Sequence, residues 1–393
     1  RNWPMQIIEA NSVVMWGRMM VMARYSYFLC ISVLITSVLN ASFASAECLE
    51  EVDLQRSSKS EAKRVMRGYR LLVDTPLLQS DFSQEVFDNL WKVWPKTLSE
   101  RARLASADVR RKMAFSRYGL TPREDNPEKP LQYVVDSSGN WTMNCFACHG
   151  GTVYGKPVAG APNNRLALQT LTEEVRQTKL QLGKPLSRMD LGSLVIPLGT
   201  TNGTTNAVVF GMGLMSQRDV NLNVVFSPPK TFVHHDMDAP VWWTFHKRPN
   251  LYIDGFAQKG HRGLMQFLMI PENDRNFFIE HEDDFRDVAS YISSLRAPKY
   301  LGDINESLAS SGQVVFETNC SKCHGTYGET PFYPNVRIDL SNIGTDPVRL
   351  HALEVAGRRK YSRSWFAHAN EEGEQETVVD PKGYVAPPLD GIW

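Results

Sequence analysis

Cys145-Phe146-Ala147-Cys148-His149 and Cys320-Ser321-Lys322-Cys323-His324 spell one five-residue pattern, C-x-x-C-H, twice in the chain. Two thiols at that spacing add across the two vinyl groups of a porphyrin, and the histidine that follows is placed to ligate its iron. The repeat therefore predicts two covalently bound haem c groups. Cys145, Cys148, Cys320 and Cys323 would form the thioethers, with His149 and His324 as proximal iron ligands. Two other chemistries use paired cysteines. A thioredoxin-type redox pair needs a βαβ setting, and nothing after Cys148 or Cys323 reads that way. A structural zinc site could take two C-x-x-C pairs, but zinc gives no reason for a histidine directly after each.

What each iron would do depends on its sixth ligand. Two strong protein ligands close a haem for electron transfer, whereas an open position admits O₂ or peroxide. The last methionine is Met269, so no His/Met pair can be completed downstream of His324. His351 and His368 remain as candidates there, although both residues are of a type more often found at the surface. For the first haem, candidates lie in segment 231–246. His234 and His235 are adjacent and must diverge, so they cannot share one iron. Trp242 and Trp243 read either as part of a core aromatic cluster after a polar turn or as a distal wall shielding bound oxygen. The second reading makes them the candidate catalytic residues. His261 and His281 have no supporting context.

The elements around these residues read as largely helical. Val86, Phe87, Leu90, Trp91 and Trp94 recur at helical spacing until Pro95 ends the run. The basic stretch from Arg101 to Arg117 reads as a solvated helix face. Residues 150–235 are loop-rich. The run from Gly199 to Asn206 lacks the Gly-Lys-Ser/Thr ending of a phosphate cradle, so its glycines are expected to let backbone approach a large flat cofactor. Asp283 to Arg296 is a helix by periodicity, with Phe285, Val288, Ala289, Ile292 and Leu295 on one face and Pro298 as a stop. Residues 297–309 then read as a linker. Phe316, one helical turn before Cys320, can pack on a porphyrin edge.

Charge and leader bear on compartment. The formal net charge is zero, which gives no reason to expect a nucleic-acid partner. Met22-Ala23-Arg24 followed by the apolar run Tyr25 to Leu39, with Ala44-Ser45-Ala46 as a cleavage site, has the shape of a signal peptide. That run is short for a membrane span, so the mature chain is expected to begin near Glu47, without a span, in the periplasm. Cys30 would leave with the leader. Cys48 reads as a free thiol, since Glu47 is not the small residue a lipoprotein site needs. Residues 1 to 21 precede a plausible start at Met22. The stretch from Tyr384 to Trp393 is Pro-rich and apolar, unlike a polar terminus, so further chain is expected beyond it.

Several segments resemble the dihaem family of latex-clearing rubber oxygenases, a branch of the bacterial dihaem cytochrome c peroxidase and MauG-like superfamily. They are Asp238-Ala239-Pro240-Val241-Trp242-Trp243, Tyr291 to Tyr300 (YISSLRAPKY), Ile343-Gly344-Thr345-Asp346-Pro347 and Ala386 to Trp393 (APPLDGIW). With both haem motifs they spread over about residues 85 to 393. The resemblance implies an oxygen-binding first haem and a six-coordinate, electron-transferring second one. It places Trp242 and Trp243 at an aromatic distal pocket, and either Phe245 or Phe256 at the family's distal Phe. In that family the closing segment continues into a stretch whose His ligates the second haem. The peroxidase branch implies an electron path between haems through a bridging aromatic, a role open to Trp242 or Trp243.

The expectation is a mainly α protein: two cytochrome c-type haem domains with long irregular loops. Upstream residues and signal peptide occupy 1–46, an N-terminal haem domain 47–296 and a C-terminal one 297–393. The function expected is an oxidoreductase that activates O₂ or peroxide at the first haem, with an apolar alkene as one substrate class. The expected partners are a redox protein or a small-molecule oxidant. The alternative is a pure electron carrier with both haems six-coordinate. A haem-based gas sensor ranks last, since the chain shows no signalling module.

Overall fold

The computed structural model describes residues 59–195, 198–199, 201–225, 236–368 and 377–392. The leader, Cys30, Cys48, His234, His235 and Trp393 lie outside them. The fold is mainly α, with short antiparallel ladders of two or three strands between the helices. Among the described residues no helix is long and apolar enough to cross a membrane.

The helical run around Val86 is Gln84–Asn89 followed by a 3₁₀ turn over Leu90–Val93. Ser83 caps it by accepting the Val86 N–H, which satisfies one of the donors a helix start leaves open. The basic stretch is divided between two helices, Lys96–Leu104 and Ala107–Tyr118. Its last arginine is not simply solvated: Arg117 pairs with Glu174 on the helix Leu168–Gln181. Tyr118 Oη donates to the same carboxylate at 2.6 Å and accepts from Trp94 Nε1 at 2.7 Å. One buried carboxylate thus ties three elements, because a buried acceptor must be supplied with donors.

Trp141 anchors a second tie. It lies on the central strand of a three-stranded sheet, paired with Phe82 on one side and Val135 on the other. Its ring stacks on Phe87 at 4.2 Å, and burying an indole contributes roughly 1.5–3 kcal/mol or more. The same strand, Asn140–Met143, runs directly into Cys145, so this sheet fixes where the first motif begins.

The helix read from Asp283 to Arg296 spans Glu282–Ser294. It packs against the helix over residues 59–74, where Arg64 and Arg67 both pair with Asp287. The expected linker 297–309 is irregular only in its first part, since Asn305 caps a helix over Glu306–Asn319. None of that helix's residues is buried.

The split at 296/297 crosses a shared core. Leu353, Tyr361 and Phe366 from the later part pack in one apolar cluster with Phe146, Trp242, Phe256 and Met265 from the earlier part. Asp254, fully buried, pairs with Arg349 and Arg358 across the same boundary.

A candidate pair of haem c sites

Each C-x-x-C-H motif is one short helical turn: Phe146–His149 and Ser321–His324. In the first, Asn144 Oδ1 accepts the Phe146 N–H at 2.9 Å and Asn163 Nδ2 donates to Ala147 O at 3.0 Å. In the second, the preceding helix runs into Cys320, and Gly325 ends the turn at φ 89°. A side chain there would be strained and would strike the Phe332 carbonyl, 2.4 Å from where its Cβ would sit.

The two histidines are held alike. His149 Nδ1 lies 3.0 Å from Pro240 O and His324 Nδ1 lies 2.7 Å from Pro387 O. A carbonyl only accepts, so each Nδ1 carries the proton and each Nε2 keeps its lone pair. That is the tautomer in which a second-shell acceptor orients a ligating imidazole and makes it more basic. Both prolines follow short ladders. Met237–Asp238 pairs with Thr204–Thr205 before Pro240, and Gly383–Val385 pairs with Arg337–Asp339 before Pro387.

The surroundings of the motifs differ. Phe146 is fully buried, with its ring 6.1 Å from Tyr69, 5.5 Å from Trp242 and 6.3 Å from Tyr291. His149 keeps an accessible edge but is largely desolvated, which draws its pKa down to about 4 and keeps the ring neutral. Burial pushes the Cys145 thiol up to about 12 and the Cys148 thiol up to about 11, so neither is a ready thiolate. The second motif's turn has no buried residue. His324 instead opens on a cleft of about 300 Å³ walled by Tyr327, Pro331, Phe332, Tyr333 and Pro388.

Trp242 and Trp243 lie between the motifs and part ways. Trp242 stacks on the His149 ring, with centroids 4.5 Å apart and planes 24° from parallel. Trp243 Nε1 donates to Asp390 O at 2.8 Å, three residues beyond the proline that holds His324. His246, grouped by sequence with the first site, lines the His324 cleft together with Lys247. His351 and His368 are exposed. His261 and His281 are each occupied by a carboxylate, Glu282 at 2.9 Å and Asp284 at 2.7 Å. Phe245 and Phe256 are both buried in the shared core.

Two residues of the sequence reading make contacts within the protein. Gly203 lets backbone approach backbone, because its Cβ would sit 2.5 Å from the Asn164 carbonyl oxygen; it serves the loop's own packing. Phe316 is half-buried, and its ring meets Tyr327, one wall of the cleft, at 5.7 Å. Pro240 and Pro387 were not anticipated. Their signal is an Ala-Pro dipeptide after each motif, but Ala161-Pro162 and Ala297-Pro298 carry it too.

The donor set fits haem c better than zinc. Each motif offers two thiols and a histidine whose Nδ1 is held by a proline carbonyl, leaving Nε2 as the ligating nitrogen. No family model matches the chain. An uncharacterized protein, y4iM, of Sinorhizobium fredii is 26% identical over a match that covers 27% of this chain and 28% of that protein.

Proposed function

We propose that this chain is a periplasmic dihaem c-type cytochrome, an oxidoreductase that activates O₂ or peroxide at the site of Cys145, Cys148 and His149. The observation that carries the reading is the repeated hydrogen bond from a motif histidine to a proline carbonyl, which twice leaves Nε2 free beside two thiols. A c-type haem bound there supplies iron chemistry: oxygen or peroxide activation where a position is open, electron transfer where two ligands close it.

The chain's own residues suggest a division of labour. Around the first motif Phe146, Tyr69, Tyr291 and Trp242 exclude water, and a dry site strengthens every fixed dipole within it. Around the second motif the open cleft and the half-buried turn, with Lys322 exposed, suit exchange of electrons with a redox protein. Trp242, stacked on the His149 ring, would fix that imidazole's rotation if His149 holds an iron. The sequence resemblance supports membership of the rubber-oxygenase-like branch and an apolar alkene as the substrate.

The test is optical and EPR spectroscopy of the oxidised and reduced protein, with and without CO. One high-spin or weakly ligated haem that binds CO, beside one low-spin haem that does not, is expected. Two low-spin haems indifferent to CO in both redox states would leave a pure electron carrier.

A further inference from the structure

We infer that Arg248, with Lys247 beside it, clamps the carboxylates of the porphyrin attached at Cys320 and Cys323. The inference rests on the haem reading and adds to it the residues that seat the second macrocycle. The His324 cleft has walls of rings and prolines, Tyr327, Tyr333, Phe332, Pro331 and Pro388, suited to a flat apolar ring. Its rim is cationic and is contributed by the chain just after Trp242–Trp243, since Lys247 lines the cleft. Arg248 follows it in the chain, within electrostatic range of the neutral Tyr333 phenol on the cleft wall.

The other cations nearby have carboxylate partners. Lys247 Nζ is matched by Asp390 Oδ1 at 2.5 Å. Asp254 is shared by Arg349 at 3.2 Å and Arg358 at 2.7 Å. Asp380 acts on Arg358 as well. Among the described residues Arg248 makes no ion pair of its own, and the acidic charge that reaches it, Asp254, is already shared. One guanidinium nitrogen donates to Tyr252 O at 2.6 Å, while Nε is buried with no acceptor. A buried guanidinium donor without a partner is costly, and a planar carboxylate is the group that a guanidinium fork matches. A porphyrin propionate would supply the acceptor that Arg248 Nε lacks.

A free anion such as inorganic phosphate offers similar acceptors, so the experiment separates the two sources. The holoprotein and Arg248→Gln are compared by potentiometric titration, each haem followed by its own absorbance and EPR signal. Removing a positive charge disfavours the ferrous state. The second haem's ferric-to-ferrous ratio at a fixed potential is expected to rise about tenfold, a 59 mV fall for one electron, with the first haem unmoved. Arg248→Lys keeps the charge and loses the fork, so about a threefold shift is expected; this variant carries the test if the glutamine variant does not accumulate. Added phosphate should not move the wild-type potential. No shift in either variant, or equal shifts at both haems, would overturn the clamp. So would a wild-type potential that follows phosphate concentration while Arg248→Gln does not, which would assign Arg248 to a free anion. Absence of haem mass on the peptide carrying Cys320 and Cys323 would remove the haem reading and the clamp together, an outcome visible before any titration.

Discussion

Asp81 stands just before the sheet that delivers the first motif, and its carboxylate accepts the Met143 N–H at 3.1 Å. Burial raises its pKa from 3.8 to about 7 against that hydrogen bond and the charge of Lys179. Between those values the native carboxyl holds a proton that the unfolded chain has released. Stability therefore falls as pH rises from about 4 to 7 and levels off above it. Asn at this position keeps an acceptor for Met143 without the charge. Asp81→Asn is expected to flatten thermal stability across that window and to stabilise the protein at pH 8 by roughly 2–4 kcal/mol. A melting profile whose pH slope matches the parent's would refute this assignment. Local chemistry of the motifs was legible in the sequence because C-x-x-C-H is contiguous. The acceptors Pro240 and Pro387 were not, because any of the four Ala-Pro carbonyls has the same local chemistry and only long-range pairing selects two.

Buried charges join several elements of this molecule. Asp254 is 0% exposed and holds Arg349 and Arg358, which belong to segments near residues 350 and 358. Val385 N–H donates to Ile253 O at 2.6 Å beside it, so the same turn aligns the strand that carries Pro387. Removing Asp254 would strand two guanidiniums in the interior, and breaking a buried pair of this kind costs about 3–5 kcal/mol. Asp254→Ala should lower the denaturation midpoint accordingly and expose the 345–366 region to proteolysis. Arg286→Gln, which breaks one pair with exposed Asp283 and one with Glu282, a carboxylate already paired to Arg262, should change stability by less than about 1 kcal/mol. Equal effects of the two substitutions would show that the triad does not hold the halves together. Helix positions were readable because apolar spacing of 3.6 is local: the run from Asp283 to Arg296 differs from Glu282–Ser294 by a residue or two at each end. The shared core was not readable, since Phe256 with Tyr361, or Phe278 with Phe366, are contacts between distant residues with no local signal.

Across the whole molecule, a continuous series of contacts joins the two motifs. His149 stacks on Trp242, Trp243 follows in the chain and donates to Asp390 O, and the same closing segment supplies Pro387 O to His324. The links are ring contact, covalent chain and hydrogen bonds, and the Trp243 indole spans the longest sequence separation among them. Phe at position 243 retains an apolar ring but loses the Nε1–H bond. If the chain carries the two proposed haems and electrons pass this way, Trp243→Phe should leave the absorption spectrum of each haem unchanged while slowing inter-haem equilibration about tenfold, ~1.4 kcal/mol on the barrier. Flash photolysis of the half-reduced CO adduct reads that rate directly. An unchanged rate would mean that the two sites communicate by another route, and the Trp243–Asp390 bond would then be a brace between halves. A slowed rate with unchanged spectra would separate this electronic role from a structural one, because a brace that loosened either haem would move its spectrum first.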